Sequence, residues 1–140
     1  DFLIIDMPPG TGDVSLSMSQ FLPKSEMIVI TTPQLAAQSV AQRAAFMAKS
    51  VGIGLLGIVE NMSYFTGDDG VRYDIFGKDG GKVLAQKLGV PFLGEVPLEP
   101  ALRIGGDKGK PIVISDPDSD SAKAIEAIAI AVINSEVATA

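Results

Sequence analysis

Four residues of the sequence stand where a short apolar run ends, the position at which parallel α/β proteins place ligand-binding side chains. These residues are Asp6, Thr32, Asn61 and Pro97, and each closely follows a run rich in Ile, Leu, Val or Phe. Because the carboxyl ends of parallel strands meet at one edge of a sheet, we expect the four residues to surround a common ligand. A strand-end carboxylate such as Asp6 can hold a hydrated Mg²⁺ beside nucleotide phosphates.

The loop after Asp6 has the composition of a phosphate-sensing segment. Residues 7–12 read Met-Pro-Pro-Gly-Thr-Gly. The two prolines stiffen the backbone, and Gly10 can bring an unobstructed N–H to a γ-phosphate. The alternative is a surface turn in which Asp6 caps the next element, and a strand followed by Asp does not by itself decide against it.

Hydrophobic periodicity and turn residues predict strands that alternate with helices. The predicted strands are 2–5, 27–30, 53–59 and 92–96, with a short extended piece at 112–114 and a small hairpin over 63–75. The predicted helices are 13–22, one that begins at Thr32 or Pro33 and ends at Gly52, 80–88 closed by Gly89, and one that begins at Ser119 or Asp120. This alternation is typical of an α/β fold with a mostly parallel sheet flanked by helices. We expect one domain over 1–140, with a frayed tail over 135–140.

Two of the predicted helices carry an apolar face at three- and four-residue spacing. The face of the second helix consists of Ala36, Val40, Ala44, Met47 and Val51. The inner face of the last helix consists of Ile125, Ile128, Ala129, Val132 and Ile133. Arg103 and Asp107 are four residues apart, a spacing that favours an exposed ion pair over a contact with another subunit.

Composition excludes several classes of function. The hydrophobic content of 46% and the mean hydropathy of +0.32 predict a well-buried core, and the net charge of −6 argues against a nucleic-acid surface. The longest apolar stretch, near 125–133, is too short to span a bilayer. The chain has neither Cys nor His, so it cannot form disulfides or a thiolate-bound cluster site, and a cytoplasmic location is expected.

Residues 6–13, read as Asp-Met-Pro-Pro-Gly-Thr-Gly-Asp, resemble the switch segment of the Mrp/ApbC family. These proteins are P-loop ATPases related to MinD, ParA and the nitrogenase iron protein. Further stretches resemble the same family in the same order: Thr-Thr-Pro-Gln at 31–34, Glu-Asn-Met-Ser-Tyr-Phe at 60–65, Ile-Phe-Gly at 75–77, Leu-Gly-Glu-Val-Pro-Leu at 93–98, 103–107 and 109–111. The resemblance covers about residues 1–133 and implies a P-loop NTPase-like fold that binds ATP and Mg²⁺.

The resemblance also implies a role for each matching residue. Asp6 corresponds to the acidic residue that holds Mg²⁺ through water, and Gly10 to the switch glycine that senses the γ-phosphate. Asn61 corresponds to the asparagine that reads the adenine edge, for which its amide offers a donor and an acceptor. Without the family context, Asn61 could equally be a turn former or a helix cap. The loop that packs against the base is matched by Pro97, Leu98 and Glu99.

Two departures from the family pattern limit these expectations. The glycine- and lysine-rich phosphate loop is absent, and the sequence begins at Asp1 without Met. We therefore expect an internal piece of a longer protein that binds nucleotide weakly or not at all by itself. The family's Cys-x-x-Cys pair is also absent, since residues 66–70 read Thr-Gly-Asp-Asp-Gly. Asp68 and Asp69 could be ligands of a hard metal ion, but a solvated hairpin turn is the favoured interpretation.

The leading hypothesis is a part of an ATP-hydrolysing Mrp-type protein that acts in iron–sulfur cluster assembly or transfer. Catalysis would consist of positioning and charge stabilisation, without a covalent nucleophile from this segment. The implied partners are a second copy in a homodimer and iron–sulfur client or scaffold proteins, with neither nucleic acid nor membrane. The alternative is a MinD/ParA-like switch that uses nucleotide to control dimerisation and carries no cluster.

Overall fold

The computed structural model describes residues 2–8 and 13–137, in which helices and strands alternate. In chain order the elements are α1 (Asp13–Phe21), β1 (Glu26–Thr31), α2 (Leu35–Ser50), β2 (Gly54–Asn61), β3 (Phe65–Thr66), β4 (Arg72–Tyr73), α3 (Gly80–Leu88), β5 (Phe92–Val96), α4 (Pro100–Asp107), α5 (Ile112–Ser115) and α6 (Asp120–Val137). Strands β1, β2 and β5 form a parallel sheet in the order β1-β2-β5. Strands β3 and β4 form the separate antiparallel hairpin.

The register of the sheet brings the carboxyl ends of its strands level with one another. Thr31 of β1 pairs with Glu60 of β2, and Asn61 of β2 pairs with Val96 of β5. The loops that follow these strands therefore leave the sheet at one edge. This is the edge at which parallel α/β sheets bind ligands.

Helices cover both faces of the sheet, as the buried strands of a parallel sheet require. On one face α2 and α3 enclose the main core, made of Val29, Ala41, Ala45, Ile58, Leu84, Ala85 and Leu88. A register shift between Ile58 and Val59 pairs Ile58 with Phe92 but Val59 with Gly94. Gly94 consequently faces the other side, where it lies directly against Ile128 of α6. The expected α/β fold with a mostly parallel sheet is confirmed.

The strand predicted over 2–5 is wrong. Phe2, Leu3, Ile4 and Ile5 are irregular and exposed, Leu3 and Ile4 by 78% and 80%. A strand needs a neighbour to satisfy its backbone N–H and C=O groups. Within the described residues no strand pairs with this segment, so its apolar composition alone does not make it a strand.

The segment after β5 also differs from the prediction. Residues 112–114 form part of the helical turn α5 instead of an extended piece, because the N–H groups of Ile114 and Ser115 both bond to the carbonyl oxygen of Pro111. Ile112 is buried. Helix α4 was not predicted, since Gly105 and Gly106 weaken the helical pattern. Within α4, the predicted exposed pair of Arg103 and Asp107 is confirmed.

The faces of the two long helices are shifted or narrower than expected. In α2 the buried residues are Ala41, Ala45 and Ala48, one position beyond the predicted stripe, while Val40 is 60% exposed. Alanine lets the helix approach the sheet closely, so side-chain size overrides hydrophobicity here. The helix begins at Leu35 after an N-cap at Gln34, later than predicted.

In α6 the predicted inner face is only partly buried. Ile125, Ile128 and Val132 are half-buried, whereas Ala129 and Ile133 are exposed. The helix runs through Val137 and includes the first three residues of the predicted tail. Across residues 2–8 and 13–137, no helix has the length and apolar content that a membrane crossing needs.

Candidate functional site

Two backbone hydrogen bonds join the loops that follow β2 and β5. The N–H of Ser63 donates to the carbonyl oxygen of Val96 at 3.0 Å, and the N–H of Leu98 donates to that of Tyr64 at 2.7 Å. The bonds continue the parallel pairing of β2 and β5 beyond their ends. The loop that contains Asn61 and the loop over 97–99 therefore form one structural unit.

Asn61 is half-buried at the end of β2, and one side of its amide is free. Its Oδ1 accepts a hydrogen bond from the N–H of Met62 at 2.9 Å, and its Nδ2 has no acceptor among the described residues. Met62 has a φ of 54°, a left-handed conformation that costs a non-glycine residue about 1–2 kcal/mol. A strained residue beside a polar side chain with an unused donor is the kind of local structure found at binding sites.

A cavity of about 500 Å³ extends along β1 and α2, and most of its lining is apolar. Its polar end is lined by Thr31, Thr32 and Asn61, and the segment before α1 contributes Met7 and Pro8. The structure thus brings Asn61 into one cavity with the two residues that directly follow Asp6. The polar part of the cavity lining lies at the carboxyl ends of β1 and β2.

Asp6 itself is exposed, does not line the cavity and makes no ion pair within the described part of the chain. A carboxylate with all its acceptor positions open suits a magnesium ion that keeps its water shell. Gly10 lies outside the described residues, so its expected position is not tested. Of the four strand-end residues expected to surround one ligand, Thr32 and Asn61 line the cavity, whereas Asp6 and Pro97 do not.

The loop after β5 is only partly arranged as expected. Pro97 is fully buried, and Leu98 and Glu99 are half-buried, but none of the three lines the cavity. The carboxylate of Glu99 accepts a hydrogen bond from the N–H of Ser121 at 3.0 Å, in the first turn of α6. An acceptor at this position stabilises a helix N-terminus. Glu99 therefore has a structural partner that its sequence neighbourhood does not reveal.

The residue before Asn61 was missed as a functional candidate. Glu60 is 1% exposed, and its two carboxylate oxygens accept hydrogen bonds from the Ser63 hydroxyl at 2.7 Å and from the Gly81 N–H at 2.5 Å. Burial of an acidic residue is rare unless its oxygens are satisfied. The sequence does contain a signal for this bond: a Glu stands at the end of a buried strand, and a Gly-Gly pair opens a later helix.

The hairpin β3–β4 is fastened to the sheet by a charged cluster. The Arg72 guanidinium contacts Asp74 at 3.1 Å and Glu95 at 3.2 Å, and it lies 3.9 Å from the centre of the Tyr64 ring. Lys82 of α3 reaches the same Glu95 at 2.6 Å, and this hydrogen bond raises the pKa of Lys82. Glu95 thus links the hairpin, β5 and α3 through one carboxylate.

The tip of the hairpin is a closed turn, as predicted. Asp69 accepts hydrogen bonds from the Val71 N–H at 3.0 Å and from the Tyr73 hydroxyl at 2.8 Å, and both lower its pKa. Gly70 donates its N–H to the carbonyl oxygen of Gly67 at 2.9 Å. Over residues 2–8 and 13–137, no group of three or more acidic side chains is arranged to hold a metal ion.

The parallel sheet, the helices on both of its faces and the polar strand ends are those of an α/β fold of the P-loop NTPase class, although the chain contains no P-loop. A family model described as ParA, NUBPL iron-transfer P-loop NTPase, matches residues 1–133. The chain belongs to this family. The resemblance to the Mrp/ApbC proteins is confirmed by the relatives.

Proteins with curated functions match nearly the whole chain. The chain is 52% identical over 131 residues to the iron-sulfur cluster carrier protein of Synechocystis, with 92% of the chain and 37% of that protein covered. It is 46% identical over 134 residues to the mouse iron-sulfur cluster transfer protein NUBPL, with 95% of the chain and 42% of that protein covered. The chain therefore spans well under half the length of these relatives.

Solved structures confirm the fold class. The cell division ATPase MinD of Pyrococcus furiosus matches with a TM-score of 0.66 at 26% identity, over 84% of this chain and 46% of MinD. A nucleotide-binding protein from Archaeoglobus fulgidus, solved in complex with ADP, matches with a TM-score of 0.65 at 33% identity, over 81% of this chain and 46% of that protein.

Proposed function

We propose that this chain supplies the switch and adenine-side residues of an ATP-dependent iron–sulfur cluster carrier. The observation that carries the proposal is the position of Asn61, which lines a cavity shared with Met7 and Pro8, the residues that follow Asp6. The relatives named as cluster carriers or transfer proteins match 92–95% of the chain. The site and the relatives support the same class of activity.

Asn61 is the proposed base-reading residue. Its Nδ2 would donate to an acceptor nitrogen of adenine, and the second lone pair of Oδ1 would accept from the exocyclic amine. Guanine presents a carbonyl where adenine presents this amine, so the same amide would favour adenine. Pro97 and Leu98 are proposed to support the base side from the adjoining loop, and Glu99 does so indirectly by holding α6.

Asp6 is proposed to hold Mg²⁺ through water, and Gly10 to sense the γ-phosphate with its backbone N–H. A bound Mg²⁺ would neutralise charge on the phosphates during hydrolysis. The chain's own contribution would be to orient this ion and the switch loop. A phosphate-binding loop from outside these 140 residues would supply most of the phosphate binding.

The iron–sulfur cluster is the proposed cargo, and this chain does not offer it a thiolate. The 140 residues contain no Cys, and iron–sulfur clusters are held by Cys thiolates. Its cysteine ligands would therefore come from elsewhere in the whole protein or from a client or scaffold. We also propose a homodimer, as in the sequence interpretation, and the predicted cytoplasmic location stays a prediction.

One experiment tests ATP dependence directly. The chain would be mixed with the amino-terminal segment of the Synechocystis carrier that precedes the matched region, and ATP binding and phosphate release would be measured with and without Mg²⁺. Mg²⁺-dependent hydrolysis by the mixture, and by neither part alone, is the expected result. Absence of ATP binding by a folded mixture would refute the proposal.

The similarity to MinD supports a second candidate, a nucleotide-dependent dimerisation switch without cargo. Cluster transfer separates the two functions. The mixture would be reconstituted with iron and sulfide and then incubated with an apo-ferredoxin. Transfer of the cluster supports the carrier, whereas ATP-dependent dimerisation without any cluster supports the switch.

A further inference from the structure

Glu60 is a buried acidic residue that the proposed chemistry does not use. It is 1% exposed and has no ion-pair partner within residues 2–8 and 13–137. Its register partner on β5 is Glu95, and the cations of this region, Arg72 and Lys82, both contact Glu95 instead. An apolar side chain at this position would avoid the cost of burying a charge, but it would leave the buried Gly81 N–H without its acceptor.

The two oxygens of Glu60 close the turn that contains Asn61. Oε1 accepts from the Ser63 hydroxyl at 2.7 Å, and the same hydroxyl lies 3.2 Å from the Glu60 carbonyl oxygen. Ser63 in turn donates its N–H to Val96 on the neighbouring strand. Asn61 and the left-handed Met62 are thus enclosed between two residues that are bonded to each other.

The second oxygen anchors this turn to α3. Oε2 accepts from the N–H of Gly81, near the start of the helix, where a negative charge is favoured. A Cβ built on Gly81 would lie 2.8 Å from the Glu60 Cβ, so the glycine is needed for this close approach. The carboxylate therefore bonds to both ends of the segment that connects β2 with α3: to Ser63 just after β2 and to Gly81 in the first turn of α3.

We infer that Glu60 is a positioning residue, which holds the Asn61 amide in the orientation that reads the adenine base. The inference rests on the proposed function. Without the carboxylate bonds, the strained Met62 backbone would be held less firmly, since the remaining bond directly across residues 60–63 is the longer one from the Ser63 hydroxyl to the Glu60 carbonyl oxygen. The Asn61 side chain would then lose its fixed direction while the phosphate side of the site stayed unchanged.

The first test needs no nucleotide. Amide hydrogen exchange and backbone chemical shifts would be measured by NMR for the 140-residue chain with Glu60→Gln, with Ser63→Ala and with Glu126→Gln. Glu126 lies exposed on α6, so its variant controls for the change of carboxylate to amide. We expect faster exchange at the Ser63 N–H and moved signals of Asn61 and Met62 for the first two variants only. Signals identical to wild type would overturn the positioning role.

The second test asks whether base recognition changes. Binding of ATP and of inorganic tripolyphosphate would be compared for the same variants, each mixed with the amino-terminal segment of the Synechocystis carrier. Glu60→Gln should weaken ATP binding about fivefold, the size of one lost hydrogen bond, and leave tripolyphosphate binding unchanged. Ser63→Ala keeps the bond from the Gly81 N–H to Glu60. It should therefore weaken ATP binding less than Glu60→Gln does, and it should also leave tripolyphosphate binding unchanged.

The outcomes separate the positioning role of Glu60 from the proposed function. Equal weakening of ATP and tripolyphosphate would mean that Glu60 merely supports the fold, which overturns the inference. A wild-type preference for ATP that survives in Glu60→Gln would overturn the inference and leave the proposed function intact. A wild-type mixture that binds both ligands equally would refute base recognition itself and the role of Glu60 with it.

Discussion

The backbone N–H of Leu98 donates to the carbonyl oxygen of Tyr64 over 2.7 Å, which fastens the loop after β5 to the loop after β2. The two loops that the sequence assigns to the base side are therefore coupled before any ligand binds. A preformed site loses less conformational entropy on binding than two independent loops would. Substitutions in this unit should consequently affect recognition of the base more than binding of the phosphates.

Replacement of Asn61 tests the base-reading role. In the chain mixed with the amino-terminal segment of the Synechocystis carrier, Asn61→Ala should weaken ATP binding about tenfold, because hydrogen bonds to the base are lost. Tripolyphosphate binding should not change. Asn134→Ala, on the exposed side of α6, is the matched control. Calorimetric titration that shows the same ATP affinity for Asn61→Ala and wild type would contradict the assignment.

The start of α3 tests the packing beside the site. A Cβ at Gly80 would overlap the carbonyl oxygen of Pro33 and the Gln38 amide, so Gly80→Ala should lower the free energy of unfolding by about 1–3 kcal/mol. Gly106→Ala is the control, because nothing lies within 4 Å of the added Cβ in α4. It should raise stability by about 0.5–1 kcal/mol. Urea denaturation measures both, and equal effects would refute the packing argument.

The charged cluster at Glu95 tests how the hairpin is held. Glu95 is 17% exposed at its side chain and contacts both Arg72 and Lys82. Glu95→Gln should therefore lower the free energy of unfolding by about 1–3 kcal/mol, because charge-assisted bonds are lost. Asp107→Asn breaks the exposed pair with Arg103 and should cost under about 0.5 kcal/mol. The idea fails if thermal or urea unfolding gives the two variants the same stability.

The hairpin turn gives a prediction for pH. The bonds from the Val71 N–H and the Tyr73 hydroxyl keep the pKa of Asp69 below its ordinary value of 3.8. These bonds favour the folded carboxylate, so the stabilisation is present above pH 3.8 and is lost as the pH falls through the lowered pKa. Tyr73→Phe should raise the Asp69 pKa part of the way back, since the Val71 bond remains.

The reciprocal substitution supplies the check. Hydrogen bonding to Asp69 raises the pKa of Tyr73 above 10.0, so Asp69→Asn should bring it down again. NMR titration of the Asp69 side chain and of the Tyr73 ring would record both changes. Tyr64→Phe is a control, because the Asp69 carboxylate is bonded to Tyr73 and not to Tyr64. A titration of Asp69 that Tyr73→Phe leaves unmoved would contradict the pairing.

Elements with local signals are predictable from this sequence. Gly89 ends α3 in a left-handed conformation with a φ of 69°, as its position after an apolar helix indicates. Elements whose state depends on a neighbour are not predictable in the same way. The segments 2–5 and 112–114 have strand-like composition, but within the described residues no strand lies beside either. The composition of a segment indicates how much apolar surface it can bury, whereas the presence of a neighbouring strand decides whether it forms a strand.

The same distinction applies to the candidate site. Asn61 is a candidate because a strand end is visible in the sequence; it lines one cavity with Met7 and Pro8, and its role stays a prediction. The partners of Glu60 and Glu99 lie 21 and 22 residues further along the chain. The spacing of residues in the sequence therefore does not indicate which helix either carboxylate bonds to.

The bond from the Ser121 N–H to Glu99 ties the first turn of α6 to the loop after β5. The helix has 18 residues and is therefore about 27 Å long. If the loop tilts the first turn by about 5°, the far end swings by about 2 Å. A small movement of the loop after β5 would thus become a larger displacement at the far end of α6.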